Sequence, residues 1–393
     1  MSKFAPASCD SLKNSKLRLE PSDNCRDPDE LFMLLALEEA KRAWRISPPN
    51  PSVGAVIVRD GRIIASGFTQ QAGGPHAEIM ALRDAKARGE SVEGATIYVT
   101  LEPCSHYGRT PPCAKALIEA KVGRVVAAIG DPNPQVHGRG MAMIEAAGIQ
   151  TRLGVLADQA REVNAGFFSR MTRGMPWVRM KTAVTLDGRT ALADGRSKWI
   201  TGEAARADGQ FWRARAGAVV TGIGTVLADD PQMNVRLEDQ IRQPLRVVAD
   251  PQFRAPVDAK IIRSPGGATI IAGLAGQTGD ACRRADALRA AGAEVLELPS
   301  DSTRGIDLRA LLIELASREV NEVHLEAGAG LSGAFLNADL VDELLVYEAP
   351  CFFGEGAGPA LVSPPDSPAA ARRWRVHSLS KIGEDFRIIC RRN

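Results

Sequence analysis

The sequence is poor in the features that mark several broad protein classes. Tyrosine and tryptophan number only three and five in 393 residues, so nothing suggests a base-stacking platform for nucleic acid. Lysine plus arginine (49) nearly cancels aspartate plus glutamate (47). The formal net charge is therefore +2, with no dense basic run to track a phosphate backbone. No apolar run approaches the ~20 residues that span a bilayer. The first residues carry no apolar core of the signal-peptide kind. The seven cysteines are odd in number and form no disulfide framework by spacing. These absences lead to the expectation of a soluble, cytoplasmic protein.

Zinc chemistry is what the sequence does offer. His76 and Glu78 stand in Pro75-His-Ala-Glu78, and Cys104 and Cys113 follow. One imidazole and two thiols are ligand types that zinc prefers, and three protein ligands leave a fourth tetrahedral position for water. Zinc makes hydroxide available from that water near pH ~7. Glu78, two residues beyond His76, is placed to handle protons without binding the metal. His-x-Glu followed by Pro-Cys and a second Cys is the layout of zinc-dependent base deaminases. Eight residues separate Cys104 from Cys113, so a loop intervenes and the second cysteine opens a new helix. His106, inside that loop, is an alternative fourth ligand or a solvent-facing or substrate-facing residue.

At 393 residues the chain is long for one core and implies two domains. Residues 1–28 are polar and aperiodic, a disordered or loosely attached tail. Asp27-Pro28 looks like a helix start, and helical spacing runs on to about Arg45. The strand pair 53–58 and 62–66 turns at Asp60-Gly61. Helices 76–88, 113–121 and 139–147 then alternate with strands 95–100 and 124–129, the pattern of a sheet with helices on its faces. Arg173-Gly-Met-Pro176 breaks the chain, so the domains are set at 29–173 and 174–393.

The second half starts a new α/β pattern. Strands are expected at 177–184, 218–221, 245–249, 269–272, 294–298, 322–325 and 343–347, with a helix over 203–215. Glu326-Ala-Gly-Ala-Gly-Leu-Ser-Gly-Ala334 follows a strand and opens a helix. Glycines there let the backbone approach a phosphate, although a tight strand-to-helix turn needs the same residues. Thr221-Gly-Ile-Gly-Thr225 is a second glycine-rich turn.

Taken together these motifs resemble the bifunctional deaminase/reductase family of riboflavin biosynthesis, the RibD type. The resemblance runs from about residue 29 to the C-terminus. It rests on Asn50-Pro-x-Val-Gly54, His76-Ala-Glu78, Thr100-Leu-Glu-Pro-Cys104, Gly108-Arg-Thr-Pro-Pro-Cys113 and Asp131-Pro-Asn-Pro134 with Gly138-x-Gly140. In the second half it rests on Leu186-Asp-Gly-Arg-Thr-Ala191, Ser197-x-Trp-Ile-Thr201, Thr225-Val-Leu-Ala-Asp-Asp-Pro231 and Glu326-Ala-Gly328.

The resemblance implies an α/β fold in two domains: a cytidine-deaminase-like three-layer α/β/α domain, then a dihydrofolate-reductase-like α/β domain. It implies Zn2+ on His76, Cys104 and Cys113, with Glu78 catalytic, and NADPH in the second half. Ala183, Trp199, Thr225, Asp229 and Gly328, Ala329, Gly330, Leu331, Ser332, Gly333 and Ala334 would line the NADPH site. Asn50, Ser197, Arg213, Met233, Arg236 and Glu326 would contact a pyrimidine riboside phosphate, with Lys181 catalytic beside its sugar. A homodimer through the reductase half is also implied. A competing expectation is a zinc deaminase acting on tRNA or other nucleic-acid bases, with a non-catalytic second domain. A purely structural zinc scaffold would instead need a filled, four-ligand site.

Overall fold

The computed structural model describes residues 27–105, 112–134, 136–240, 242–301 and 305–392. The expected tail, residues 1–26 of it, and His106 lie outside the described residues. The chain divides into two compact units at Asn164/Ala165. Among the described residues no helix is long and apolar enough to cross a membrane.

The first unit runs α1 (Pro28–Lys41), β1 (Gly54–Arg59), β2 (Arg62–Phe68), α2 (Ala77–Ala87), β3 (Thr96–Val99), α3 (Cys113–Glu119), β4 (Arg124–Ala127), α4 (Arg139–Ala146), β5 (Gln150–Leu153) and α5 (Ala157–Val163). Its five strands lie in the order β2-β1-β3-β4-β5. β1 is antiparallel to both neighbours, whereas β3, β4 and β5 are parallel. Two glycines show why this makes three layers. A Cβ on Gly54 would meet the Ala36 carbonyl oxygen at 2.0 Å, and one on Gly67 would meet the Ala81 nitrogen at 2.4 Å. Gly67 pairs with Ala55, the neighbour of Gly54, so the two glycines point to opposite faces. Helices α1 and α2 therefore cover opposite sides of the sheet, each pressed to backbone contact.

α1 is fixed by its first turn. Asp27 caps it by accepting from the Asp29 N–H at 2.9 Å. Asp29 accepts from Tyr98 Oη at 2.8 Å, from both terminal nitrogens of Arg124 at 2.8 and 2.7 Å, and from Arg152. One carboxylate thus ties the helix to β3, β4 and β5. The helix stops at Lys41, short of the expected Arg45, because 42–50 close into successive turns ahead of Pro51.

The second unit runs α6 (Ala165–Arg173), β6 (Trp177–Thr185), β7 (Ala191–Leu192), α7 (Glu203–Arg215), β8 (Ala218–Gly222), α8 (Ile223–Asp229), β9 (Leu245–Ala249), α9 (Lys260–Arg263), β10 (Thr269–Leu274), α10 (Asp280–Ala290), β11 (Glu294–Leu298), α11 (Leu308–Ser317), β12 (Glu322–Leu325), α12 (Ala329–Asn337), β13 (Glu343–Ala349), β14 (Gly356–Ala357), β15 (Trp374–Ile382) and β16 (Asp385–Arg392). Helix α6 belongs to this unit by its contacts, which puts the division nine residues before the break at Gly174 expected from sequence. Its Arg170 donates to Asn321 and its Arg173 grips Asp342.

Nine strands lie in the order β11-β10-β9-β8-β12-β6-β13-β16-β15. The seven from β11 to β13 are parallel; β16 and β15 form an antiparallel hairpin at the edge. The chain leaves β6, builds outward from β8 to β11, and returns as β12 between β8 and β6. Open α/β sheets bind ligands at such a reversal, beyond the carboxyl ends of the strands.

One face carries Val178, Met180, Val220, Val247, Ile270 and Leu325, and the other carries Val219, Val248 and Ile271. Between β6, β12, β13 and α7 the interior is ionic. Arg179 is 1 % exposed and bonds Glu322 (2.9 Å) and Glu343. Arg215 bonds Glu322 at 2.7 Å and Arg391 bonds Glu343 at 3.0 Å. Trp212 lies under the guanidinium groups of Arg179 and Arg215, 4.4 and 5.7 Å from its ring centre.

Removing the Asp29 charge should loosen the first unit. Burial alone would raise this carboxyl, but the bonds from Arg124, Tyr98 and Arg152 outweigh it and hold it at about 2. A depressed carboxyl stabilises the fold above its unfolded value of ~3.9, and the contribution fades as pH falls toward the folded value. Asp29→Asn should lower unfolding stability of that unit by about 2 kcal/mol at pH 7. The wild-type advantage should shrink between roughly pH 4 and pH 2. Denaturant titrations of both proteins across that range check it.

Candidate active sites

Three segments bring the zinc donors together. His76 is the N-cap of α2, Cys104 lies five residues past β3, and Cys113 is the first residue of α3. His76 Nδ1 stands 3.6 Å from Cys104 Sγ and 3.4 Å from Cys113 Sγ. All three donor atoms lie within 4.8 Å of one another. A tetrahedral zinc with bonds of ~2.3 Å to sulfur and ~2.0–2.1 Å to nitrogen has S···N edges of about 3.6 Å. The donor set therefore fits zinc in both chemistry and spacing. Among the described residues the cluster has three members, as an open catalytic site requires and a closed structural site does not.

The local backbone prepares the sulfurs. The Cys113 N–H donates to Cys104 Sγ at 3.3 Å, and the Ala114 N–H donates to the Cys104 carbonyl at 3.1 Å. A bond from the Cys113 thiol, then one from His76, overcome burial and bring the Cys104 thiol down to about 4. Cys113 is pushed up as the donor of that pair, and His76 is raised chiefly by its bond to Cys104. Glu78 is buried, and burial followed by the Cys104 charge pushes it up to about 7. A carboxyl poised there accepts and releases protons at neutral pH.

Glu102, beside the zinc donors in sequence, is a buried charged residue that the sequence alone does not single out. It is 3 % exposed and accepts main-chain N–H bonds from Asp131, Gly138, Gly140 and Met141. The available signal was a charged residue, inside the Thr100–Cys104 motif, closing an apolar strand. Asn50 lies in the turn after α1; the Ser47 hydroxyl donates to its carbonyl, and Asn50 is not one of the zinc donor cluster.

The second unit holds a cleft of about 1090 Å³ at the strand-order reversal. Lys181, Ala183, Ser197, Trp199, Arg213, Thr225, Asp229, Met233, Arg236, Glu326, Gly328, Ala329, Gly330, Leu331 and Ala334 line it. Ser332 and Gly333 do not. Ser332 is 1 % exposed and its hydroxyl donates to the Ala327 carbonyl. A Cβ on Gly333 would meet the Leu361 carbonyl oxygen at 2.0 Å, so this glycine serves packing. Gly328 caps α12, whose first-turn N–H groups open toward the cleft and suit a dinucleotide phosphate. The glycine turn at Gly222 likewise caps a helix, α8.

Arg213 and Arg236 differ. Arg213 Nε and Nη2 grip the two Glu326 oxygens at 2.8 Å each, and Nη1 donates to the Asn234 carbonyl at 2.8 Å. Its fork is thereby committed to Glu326, itself one of the expected substrate contacts. Arg236 donates to Asn234 Oδ1 at 3.2 Å, and burial and then the Arg213 charge lower its guanidinium. Burial alone would raise Glu326, yet Arg213, then His324, and also Lys181 hold it well below the ordinary carboxylate range. Lys181 and Glu326 thus act on each other. At the mouth, Lys198 pairs with Asp229 at 3.3 Å, and Arg206 covers the exposed Trp199 ring at 4.6 Å.

Residues 176–388 match the RibD C-terminal domain, and residues 26–129 match the cytidine and deoxycytidylate deaminase zinc-binding region. Riboflavin biosynthesis protein RibD of Haemophilus influenzae is 42 % identical over 381 residues, covering 92 % of this chain and 96 % of that protein. The chain belongs to the RibD family. Among solved structures, Acinetobacter baumannii RibD (form 1) is 43 % identical with a TM-score of 0.83, covering 93 % of this chain and 99 % of that one. A Thermotoga maritima structure described as a diaminohydroxyphosphoribosylaminopyrimidine deaminase and 5-amino-6-(5-phosphoribosylamino)uracil reductase is 32 % identical. Its TM-score is 0.80, with coverage of 93 % and 99 %. As a RibD-family chain it is a two-activity enzyme of riboflavin biosynthesis, a deaminase that uses zinc and a reductase that uses NADPH. A reductase domain in the second half leaves the tRNA-deaminase reading without support.

Two glycines of α12 should separate packing from binding. Gly333→Ala forces a backbone clash and should cost about 1–3 kcal/mol of second-unit stability. Gly330→Ala meets nothing within 4 Å and should leave stability unchanged or slightly raised. Thermal unfolding of the two variants measures the contrast.

Proposed function

We propose that the first unit hydrolyses the ring amine of 2,5-diamino-6-(5-phosphoribosylamino)pyrimidin-4(3H)-one. The second unit then reduces the ribosyl group of 5-amino-6-(5-phosphoribosylamino)uracil to ribityl with NADPH. One observation supports this most: an imidazole and two thiols at zinc spacing beside a buried proton carrier, in the same chain as a nucleotide-sized cleft at a sheet reversal.

In the first reaction His76, Cys104 and Cys113 hold zinc, which supplies activated water at neutral pH. Glu78 would carry one proton from the attacking water to the ring nitrogen and a second, from the hydroxyl of the adduct, to the departing amine. The carbon–nitrogen bond breaks, a carbonyl forms, and ammonia leaves. Burial of Glu78 keeps bulk water out of that exchange.

In the second, NADPH supplies the hydride, and its phosphates would rest on the first turn of α12. Lys181 holds a cation beside the reacting sugar and supplies the proton that balances the incoming hydride. Glu326, kept ionised by Arg213, fixes the position of Lys181. Arg236 turns its guanidinium to the substrate phosphate, supported by Ser197 and Met233 at the same wall. Assembly as a homodimer through the reductase unit, implied by the family resemblance, and a cytoplasmic location, expected from the composition, complete the reading.

Glu78→Gln should abolish ammonia release, by at least ~100-fold, while NADPH oxidation with the deaminated substrate continues at the wild-type rate. Loss of both activities in a folded protein would sink the idea of independent sites. Arg236→Ala should raise KM for the phosphorylated substrate roughly tenfold, about 1.4 kcal/mol, and leave the phosphate-free analogue unaffected. Steady-state kinetics on the two substrates measures it.

A further inference from the structure

Helix α4 begins without a cap of its own. Its N-cap is Gly138, in the left-handed region at φ 75, with no side chain to accept the first free N–H groups. The cap comes from Glu102, 36 residues earlier. Glu102 Oε1 accepts from the Gly140 N–H at 2.9 Å and the Met141 N–H at 3.4 Å. Its Oε2 accepts from Gly138 at 2.9 Å and Asp131 at 3.2 Å. Four N–H donors fill the lone-pair sites of the carboxylate, so it has no capacity left to bind a metal. Gly140 approaches so closely that a Cβ there would lie 1.8 Å from the Pro103 carbonyl oxygen. Pro103 is flanked by Glu102 and by the zinc donor Cys104. The Glu102 N–H itself donates at 2.9 Å to the carbonyl of Ile129, two residues past the end of β4.

We infer that Glu102 is a positioning residue of the zinc site. By gripping segment 131–141 from the ligand loop, it fixes where Pro103 ends and where the Cys104 sulfur points. Among the described residues its partners are main-chain N–H groups, two of them in the first turn of α4. The inference rests on the reading that His76, Cys104 and Cys113 hold zinc.

Zinc release to the chelator 4-(2-pyridylazo)resorcinol tests it on the full-length protein. Glu102→Gln keeps the shape but points an amide N–H at main-chain donors. It should release zinc at least tenfold faster than wild type, while NADPH oxidation stays unchanged. Asp29→Asn serves as the control, since it weakens the same unit away from the ligand loop. A merely structural role predicts equal zinc release from the two variants at equal distance below their melting temperatures; that result would overturn the inference. Wild-type retention of zinc by Glu102→Gln would overturn it too. Should that variant not fold, Glu102→Asp keeps the charge on a shorter arm. Faster zinc release with faster amide exchange in 131–141 then supports the inference, and wild-type behaviour in both rejects it. A wild-type protein that binds no zinc would instead defeat the reading of the triad, a separate result.

Discussion

Two sulfurs and a ring nitrogen must be held within about 3.6 Å of each other, largely out of water, for a tetrahedral zinc to form. No single element of this chain can do that, because the eight-residue gap between the cysteines is too long for one helical turn. The first unit therefore has to bring two helix starts and a loop beyond a strand to one point. Its sheet does so. α2 is pressed against β2 at Gly67, α3 is hung by two N–H groups from the sulfur and the carbonyl of Cys104, and the loop is braced by Glu102. Glu78 comes with the same helix that delivers His76, so positioning the one also positions the other.

The second unit meets a different constraint. Its cleft holds a carboxylate, Glu326, kept charged in a place sheltered from solvent, with Lys181 close enough to act on it. Arg213 keeps that charge in place with a two-bond grip on Glu326. On the same strand face, two residues apart, His324 and Glu322 continue the polar column inward to Arg179 and Arg215. Parallel strands buried on both faces are usually apolar throughout. Here one stretch of that interior is ionic, and it leads to Glu326 in the wall of the cleft.

Much of this was legible in the residues. The zinc triad, the helix starts at Ala77 and Cys113 and the apolar strands of the second sheet could all be read from ligand type, caps and hydrophobic runs. β5 was not, because Gln150-Thr-Arg-Leu153 is mostly exposed and lacks an apolar run. The closing hairpin of β15 and β16 was missed for a similar reason: its strands alternate basic residues with Val376, Leu379 and Phe386, all largely exposed. Pairings over long separations were also hidden. Nothing near Arg213 in sequence announces that Glu326, 113 residues on, already occupies its fork. The same holds for Gly333, whose need to be glycine comes from the Leu361 carbonyl.

The ionic column around Trp212 also bears on how this half can drift in evolution. Apolar layers absorb one change at a time, since a neighbour of similar size fills the space. A buried charge stripped of its counterpart is far more damaging than loss of the pair together. With Arg179 and Arg215 sharing Glu322, and both stacked near one indole, single replacements there are dead ends. Divergence in this stretch must proceed by concerted, compensating exchanges, so it should change more slowly than the apolar layers of the same sheet.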